Sequence, residues 1–269
     1  YKIAYIFNVH FCLYLYCNKK IKRNMKTLVI IPSRLSASRL PGKPLLKING
    51  LSIISHVFKK AQEADIGDVF VAAEDQEIVE DVRKNGGEAI LTRNDHKTGT
   101  DRIHEALVKL GRTNVELVMN LQGDEPLMNI EDIKNLNSYM IETKCDLGTL
   151  AAKIDDKKIF ENHNIVKVIT EESLDQSKFP RALNFLRKLD KDINEAYHHL
   201  GIYCYNVEIL KRFVSFEQSQ NEIKNRLEQL RALDNNININ VALAKSSPIG
   251  VDTEEDFMAI KKIMEYKSQ

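Results

Sequence analysis

Val29-Ile30-Ile31-Pro32-Ser33-Arg34-Leu35-Ser36-Ala37-Ser38-Arg39-Leu40-Pro41-Gly42-Lys43-Pro44 joins an apolar run to small residues and three cations. A short apolar run of Val and Ile closed by a proline reads as a strand buried on both faces. The irregular stretch after it then lies at the strand's carboxyl end, where open α/β sheets bind their ligands. Arg34, Arg39 and Lys43 on one such loop suit a polyphosphate, although basic loops are also a common way to keep a turn solvated. The string is neither a P-loop nor a dinucleotide fingerprint. Pro44 follows Lys43 where a P-loop needs Ser or Thr, and no Gly-x-Gly-x-x-Gly follows the strand.

Outward from this stretch, short β-forming runs alternate with helical periodicity, the pattern of an α/β fold built on a mostly parallel sheet. Leu28 to Ile31 is the first strand, and Leu51 to Ala64 is a helix with Ile54, Val57, Phe58 and Ala61 on one face. Val69 to Ala73 is the next strand. A helix from Asp75 to Asn85 stops at Gly86-Gly87, followed by the strand Glu88 to Leu91, the amphipathic stretch Thr100 to Leu110 and the central strand Val115 to Leu121. Beyond Asp146 polar stretches separate strands at Leu147 to Lys153, Val166 to Thr170 and Leu200 to Tyr205, which suggests a smaller mixed lobe. A helix over Asn221 to Asp234 would bury Ile223, Leu227, Leu230 and Leu233. Ile237 to Ala244 is a strand, and Thr253 to Tyr266 a closing helix with Thr253 and Asp256 spaced as a capping box.

The chain has 269 residues, enough for one large domain, with 43% apolar and 29% charged residues, as in a globular protein. A formal net charge of +1 supplies no overall field to recruit nucleic acid, so any anion site is local. Cys12, Cys17, Cys145 and Cys204 form no Cys-x-x-Cys pair and suit a reducing cytoplasm. Residues 1–24 differ from the rest, with Ile3 to Cys17 apolar and Lys19, Lys20, Lys22 and Arg23 just before Met25. That apolar part is too short to span a bilayer, and its basic residues come after it rather than before, unlike a secretory signal. The reading is a non-native or disordered leader with Met25 as the natural start; a membrane-surface anchor is the alternative.

Three further groups carry chemistry. Asp124, in Gln122-Gly123-Asp124-Glu125-Pro126, stands where the central strand stops, and a carboxylate there is a natural ligand for a hard cation. The same string is also an ordinary turn. Asp252, in Gly250-Val251-Asp252-Thr253, would complete a metal pair with Asp124, or serve only the dipole of the helix that follows. If both hold metal, they supply what phosphoryl or nucleotidyl transfer requires. Thr92 to Arg102 offers hydroxyls, amide NH groups and Arg102 at one helix start, suited to a base edge or an acidic ligand as well as to a plain cap. In the second lobe Arg181, His198, His199, Glu228, Gln229 and Arg231 could converge on a polyhydroxy acid, although Glu228 and Arg231 also fit a helix-surface pair. No nucleophile elbow, His-Glu-x-x-His or catalytic Cys motif is visible.

Together these residues resemble the 3-deoxy-manno-octulosonate cytidylyltransferase (CMP-KDO synthetase) family from Met25 to about residue 265. The matching pieces are Ile31-Pro32-Ser33-Arg34, Arg39-Leu40-Pro41-Gly42-Lys43-Pro44, Thr92-Arg93, Asp95-His96, Gly99-Thr100 and Gln122 to Pro126. They continue with Val166-Lys167-Val168, His199 to Tyr203, Leu227 to Arg231 and Gly250 to Thr253. The resemblance implies a Rossmann-like nucleotidyltransferase with a smaller mixed α/β lobe. It would make CMP-KDO and pyrophosphate from CTP and KDO with Mg2+, in the cytoplasm, as a homodimer serving lipopolysaccharide synthesis. Its nucleotide-binding part would cover 25–146, a sugar-binding and dimerisation lobe 147–235, and a closing strand and helix 236–269. Arg34 and Lys43 would bind CTP phosphates, with Arg39 in the same loop, and Asp124 and Asp252 would hold the metal. Glu74, Asp95, His96, Thr98 and Gly99 would face the nucleotide; Arg102, Gln122, Arg181, His199, Glu228 and Gln229 would face the sugar acid. The chain departs from the family at Ala72-Ala73-Glu74, where relatives carry Ala-Thr-Asp. It departs again at Phe179-Pro180-Arg181, where relatives carry aromatic-Ser-Arg, and at Asn184-Phe185, which replaces Pro-Trp. Another acid sugar, such as amino-KDO or a sialic acid, or a non-catalytic nucleotide-sugar binder, would fit the same fold.

Overall fold

The computed structural model describes residues 26–36, 39–154, 162–189 and 196–266. The leader, Cys12 and Cys17 lie outside the described residues. The strand β1 (Lys26–Ser33) is the middle of the molecule. Its side chains alternate between two cores: Val29 and Ile31 enter one apolar cluster, and Leu28 and Ile30 enter the other. This is the two-faced burial that a continuous Val/Ile run requires.

Around it β2 (Lys47–Ile48) and β3 (Leu51–Ser52) form a small hairpin, and β4 (Gly67–Ala73), β5 (Ala89–Leu91) and β6 (Val115–Asn120) join the main sheet. So do β7 (Leu147–Ala152), β8 (Lys167–Thr170), β9 (Ala182–Leu186), β10 (Tyr197–Asn206) and β11 (Ile239–Leu243). Among the described residues the main sheet has nine strands, in the order β11-β7-β10-β6-β1-β4-β5, with β8 on β10 and β9 on β8. β1 runs parallel to β4 and β6, β4 to β5, and β11 to β7, whereas β10 is antiparallel to β6, β7 and β8. Beyond Asp146 the same sheet takes in antiparallel pairs, of β10 with β6, β7 and β8 and of β9 with β8.

Helices α1 (Ile53–Glu63), α2 (Gln76–Lys84), α3 (Gly99–Leu110) and α4 (Ile130–Thr143) follow β3, β4, β5 and β6. The apolar face of α1 is the expected one, with Ile54, Val57, Phe58 and Ala61 buried. Helices α4 and α5 (Val207–Ser215) have no counterpart among the sequence expectations, although Asn129 and Asn206 cap them through their side chains. β9 and the β2–β3 hairpin were likewise not anticipated. One expected element is corrected. The helix over 221–234 is two short helices, α6 (Gln220–Asn225) and α7 (Leu230–Asp234), broken at Arg226, whose φ is +55°. Ile223 turns outward at 55% exposure while Leu227, Glu222 and Arg231 are buried. Closing the Glu222–Arg231 ion pair inside the protein overrides the single-helix pattern. The closing helix α8 (Glu254–Tyr266) begins after Thr253, whose hydroxyl and Asp256 exchange the expected capping bonds.

Candidate active site

The ends of β1 and β6, the start of α3 and the segment before α8 enclose a cavity of about 330 Å³. Because β1 and β6 are parallel neighbours, their carboxyl ends open on the same rim. Gly42, at φ +73°, turns the β1 loop into the one-turn helix Lys43–Leu45, and its N–H bonds to Leu35 O at 3.0 Å. The Leu35 N–H donates in turn to the Asp75 carboxylate at 2.7 Å, so both sides of the loop are pinned. After β6, Gly123 lets the chain pass close to β1, since a Cβ there would lie 2.9 Å from Pro32 O. The Asp124 carbonyl accepts from Val251 N–H at 2.9 Å, which draws Asp252 to the same rim.

Four charged groups meet there. The Lys43 ammonium donates to the carboxylate of Asp124, to Val251 O at 2.8 Å and to Asp252 Oδ1 at 3.2 Å. Arg39 Nη2 reaches Asp252 Oδ2 at 2.9 Å. Burial opposes the charge on Lys43, whose side chain is 14% exposed, but Asp124 and Asp252 outweigh it and raise its pKa above the usual lysine value. Beside them Glu125 is enclosed. Burial first, then Asp124 and Asp252, push its carboxyl up to about 8 against the opposing pull of Lys43, and its Oε2 has no partner among the described residues. Arg34 also lines the cavity and forms no ion pair among the described residues.

The opposite wall is the loop into α3. Thr98 and Asp101 form a capping box at the start of that helix, and His96, Thr98 and Gly99 line the cavity. Arg102 lines it too, but its guanidinium is occupied: Glu74 Oε2 at 2.6 Å, Thr92 Oγ1 at 2.7 Å and Arg93 O at 2.9 Å. Glu74 therefore meets the cavity through Arg102. Gln122, also on the lining, donates to Gly201 O at 2.8 Å and ties β10 to the rim. Asp95 stands outside, paired with Arg93 at 3.4 Å.

The remaining candidates from the second lobe do not line this cavity. Arg181 is exposed, 3.9 Å from Glu171. His199 is buried, with Nε2 3.0 Å from Thr149 Oγ1 and its ring edge-on to Phe185. Burial, helped by His198, pushes its pKa down to about 3. Gln229 is buried. Glu228 is enclosed, with Oε1 unpartnered among the described residues, and burial raises its pKa while the Thr100 and Thr98 hydroxyls pull it the other way. Arg231 is committed to Glu222 through two bonds of 2.8 and 2.6 Å. The sequence reading passed over Lys97 and Ser33, which line the cavity, and over Asp75 and Glu105, which hold its loops. Lys97 was legible as a cation beside His96; Asp75 and Glu105 looked like ordinary helix charges.

Residues 28–239 match the model of a family described as cytidylyltransferase. A 3-deoxy-manno-octulosonate cytidylyltransferase of Afipia carboxidovorans is 44% identical over 88% of this chain and 96% of its own length. The chain belongs to the 3-deoxy-manno-octulosonate cytidylyltransferase family. A second relative of that name, from Rhodopseudomonas palustris strain BisB5, is 43% identical over 88% of this chain and 97% of its own length. A solved member of this cytidylyltransferase family, a CMP:2-keto-3-deoxy-manno-octonic acid synthetase complexed with CTP, superposes with a TM-score of 0.81. It is 33% identical and covers 90% of this chain and 99% of its own. A UDP-glucose pyrophosphorylase with UDP-glucose, 14% identical at a TM-score of 0.67 over 91% of this chain and 100% of its own, shares the fold alone.

Proposed function

We propose that this protein transfers CMP from CTP to 3-deoxy-manno-octulosonate, giving CMP-KDO and pyrophosphate for lipopolysaccharide synthesis. The observation that carries this reading is the meeting of Lys43, Asp124 and Asp252 at one rim of the cavity, beside Arg34 and Arg39. In the reaction the anomeric hydroxyl of the sugar acid attacks the α-phosphorus in line and pyrophosphate leaves. Arg34, Arg39 and Lys43 would hold the phosphate oxygens, so catalysis rests on position and charge neutralisation rather than on a covalent intermediate. His96, Thr98 and Gly99 would face the nucleoside, with Asp95 and Glu74 behind them. Gln122 would lie toward the acceptor, with Arg102 held beside it by Glu74, while Arg181, His199, Glu228 and Gln229, proposed for the sugar acid, stand off the cavity lining.

Asp124 and Asp252 fit a divalent cation, since both reach one ammonium and so stand close enough to share one charge. Among the described residues no third His, Cys, Asp or Glu completes a cage, which leaves positions for phosphate oxygens and water, as Mg2+ prefers. When bound, Mg2+ would neutralise charge that builds on the transferring phosphate. Lys43 holds the two carboxylates together, and Arg39 can release Asp252 to reach a phosphate.

We extend the proposal to a cytoplasmic homodimer of one catalytic domain per chain. Exposed Leu183 and Ile223 are apolar surface that a second copy would cover, and among the described residues no helix is long and apolar enough to cross a membrane. Sedimentation would test the dimer. For the reaction, pyrophosphate release is measured with Mg2+, each nucleoside triphosphate and a panel of KDO, amino-KDO and sialic acid. Release with CTP and KDO is expected; release only with another pair corrects the substrate, and none with any pair rejects the enzyme.

A further inference from the structure

The segment between β5 and α3 has no regular structure, yet Thr92, Arg93, His96 and Thr98, four of its seven residues, are tied to one polar stripe of α3. Thr98, Asp101, Arg102, Glu105 and Lys109 recur at helical spacing, so their side chains share a face. Lys109 Nζ holds Leu91 O at 2.9 Å; Arg102 holds Thr92 and the Arg93 carbonyl; Asp101 accepts from Thr98 N–H at 3.2 Å. Glu105 does most. Its carboxylate takes the Arg93 N–H at 3.1 Å, the His96 ring at Nε2 and the Lys109 ammonium at 2.7 Å. An i, i+4 pair on a helix surface would account for Lys109 alone and would stabilise the helix only slightly. It would not account for two donors from the loop.

Glu105 is 14% exposed and His96 7%, so this contact is sheltered rather than solvated. Burial raises the carboxyl of Glu105, but the bonds from Lys109, His96 and Arg93 outweigh it and hold the pKa down at about 2. An ionised carboxylate only accepts, so the hydrogen on Nε2 of His96 is fixed and the ring's orientation with it.

We propose that Glu105 is a positioning residue for the nucleotide: through Arg93 and His96 it sets the wall of the cavity formed by His96, Thr98 and Gly99 before the ligand arrives. The inference rests on the reading of this cavity as a CTP site. A wall set in advance costs less ordering on binding, so Glu105 acts on nucleotide affinity and not on the transfer step.

The test compares Glu105→Ala, Glu105→Gln and Lys109→Ala in steady-state kinetics and in long-range 1H–15N spectra of the His96 ring. Glu105→Ala is expected to raise KM for CTP about tenfold, leaving kcat and KM for the sugar acid within about threefold. Glu105→Gln, which keeps one acceptor oxygen, falls between, and it carries the test if the alanine variant does not fold. Lys109→Ala leaves KM for CTP within about twofold. In the spectra the unaltered protein shows hydrogen held on Nε2 of His96, and Glu105→Ala shows the two ring forms averaged. Unchanged KM for CTP in folded variants, an equal rise in both KM values, or hydrogen on Nδ1 alone in the unaltered protein overturns the proposal. The spectra need no turnover, so they judge Glu105 even where the assigned reaction fails.

Discussion

The rim at the ends of β1 and β6 and the buried cluster between α3, α6 and α7 use the same residue types in opposite ways. At the rim most charges are close but open: Asp252 is 48% exposed, Arg39 is more exposed still, and Arg34 has no ion pair among the described residues, while Lys43 alone is sheltered and spends its three N–H bonds on Asp124, Val251 O and Asp252. In the cluster Arg231 is fully enclosed, donating two bonds to Glu222 and stacked 4.7 Å from the centre of the Phe213 ring. An open charge can exchange its partner for a phosphate or a metal; a saturated, buried one can only hold the structure. Exposure and spare bonding capacity, not residue type, separate binding groups from struts.

The comparison breaks most visibly at Asp124. Asp124→Asn should lower pyrophosphate release on the order of a thousandfold while the thermal midpoint moves little; activity near normal would remove Asp124 from the site. Arg231→Ala should do the reverse. It strands Glu222 as a buried, uncompensated charge and should cost roughly 3 kcal/mol in denaturant titration, and a loss under 1 kcal/mol would contradict its role as a strut. His199 sharpens the contrast through pH. Its pKa is about 3 in the folded protein against 6.5 when unfolded, so the unfolded chain takes up the proton first as pH falls. The stability it contributes is complete above 6.5 and is lost progressively from there down to about 3. At pH 5 the loss should be about 2 kcal/mol, and His199→Gln should flatten this part of the stability–pH curve. Arg39→Ala should matter least for folding. Its pair with Asp252 is exposed, so stability should change by less than about 0.5 kcal/mol, while KM for CTP rises a few-fold.

Much of the fold was legible because burial leaves a periodic trace. The strand at Val29 to Ile31, the helix face of Ile54, Val57, Phe58 and Ala61, and the Thr253 cap all stand where apolar spacing and cap chemistry put them. The helix over 221–234 was misread because a buried salt bridge, not an apolar stripe, sets its shape. The same limit hid Asp75 and Glu105: a helix carboxylate reads as a surface charge until its distant partner is known, here Leu35 N–H for one and His96 for the other.

By itself, then, the sequence determined the alternation of strands and helices, the basic loop after the first strand and the carboxylates after the central one. Those follow from local rules: side-chain period, turn chemistry and cap preference act over a few residues. Only the tertiary structure decided which charges stand open and which are spent. Lys43, Asp124 and Asp252 meet because β1 and β6 are parallel neighbours and Val251 bonds back to Asp124, while Arg102 and Arg231 are saturated by Glu74 and Glu222. Such pairings join residues far apart in the chain, and no local rule encodes them.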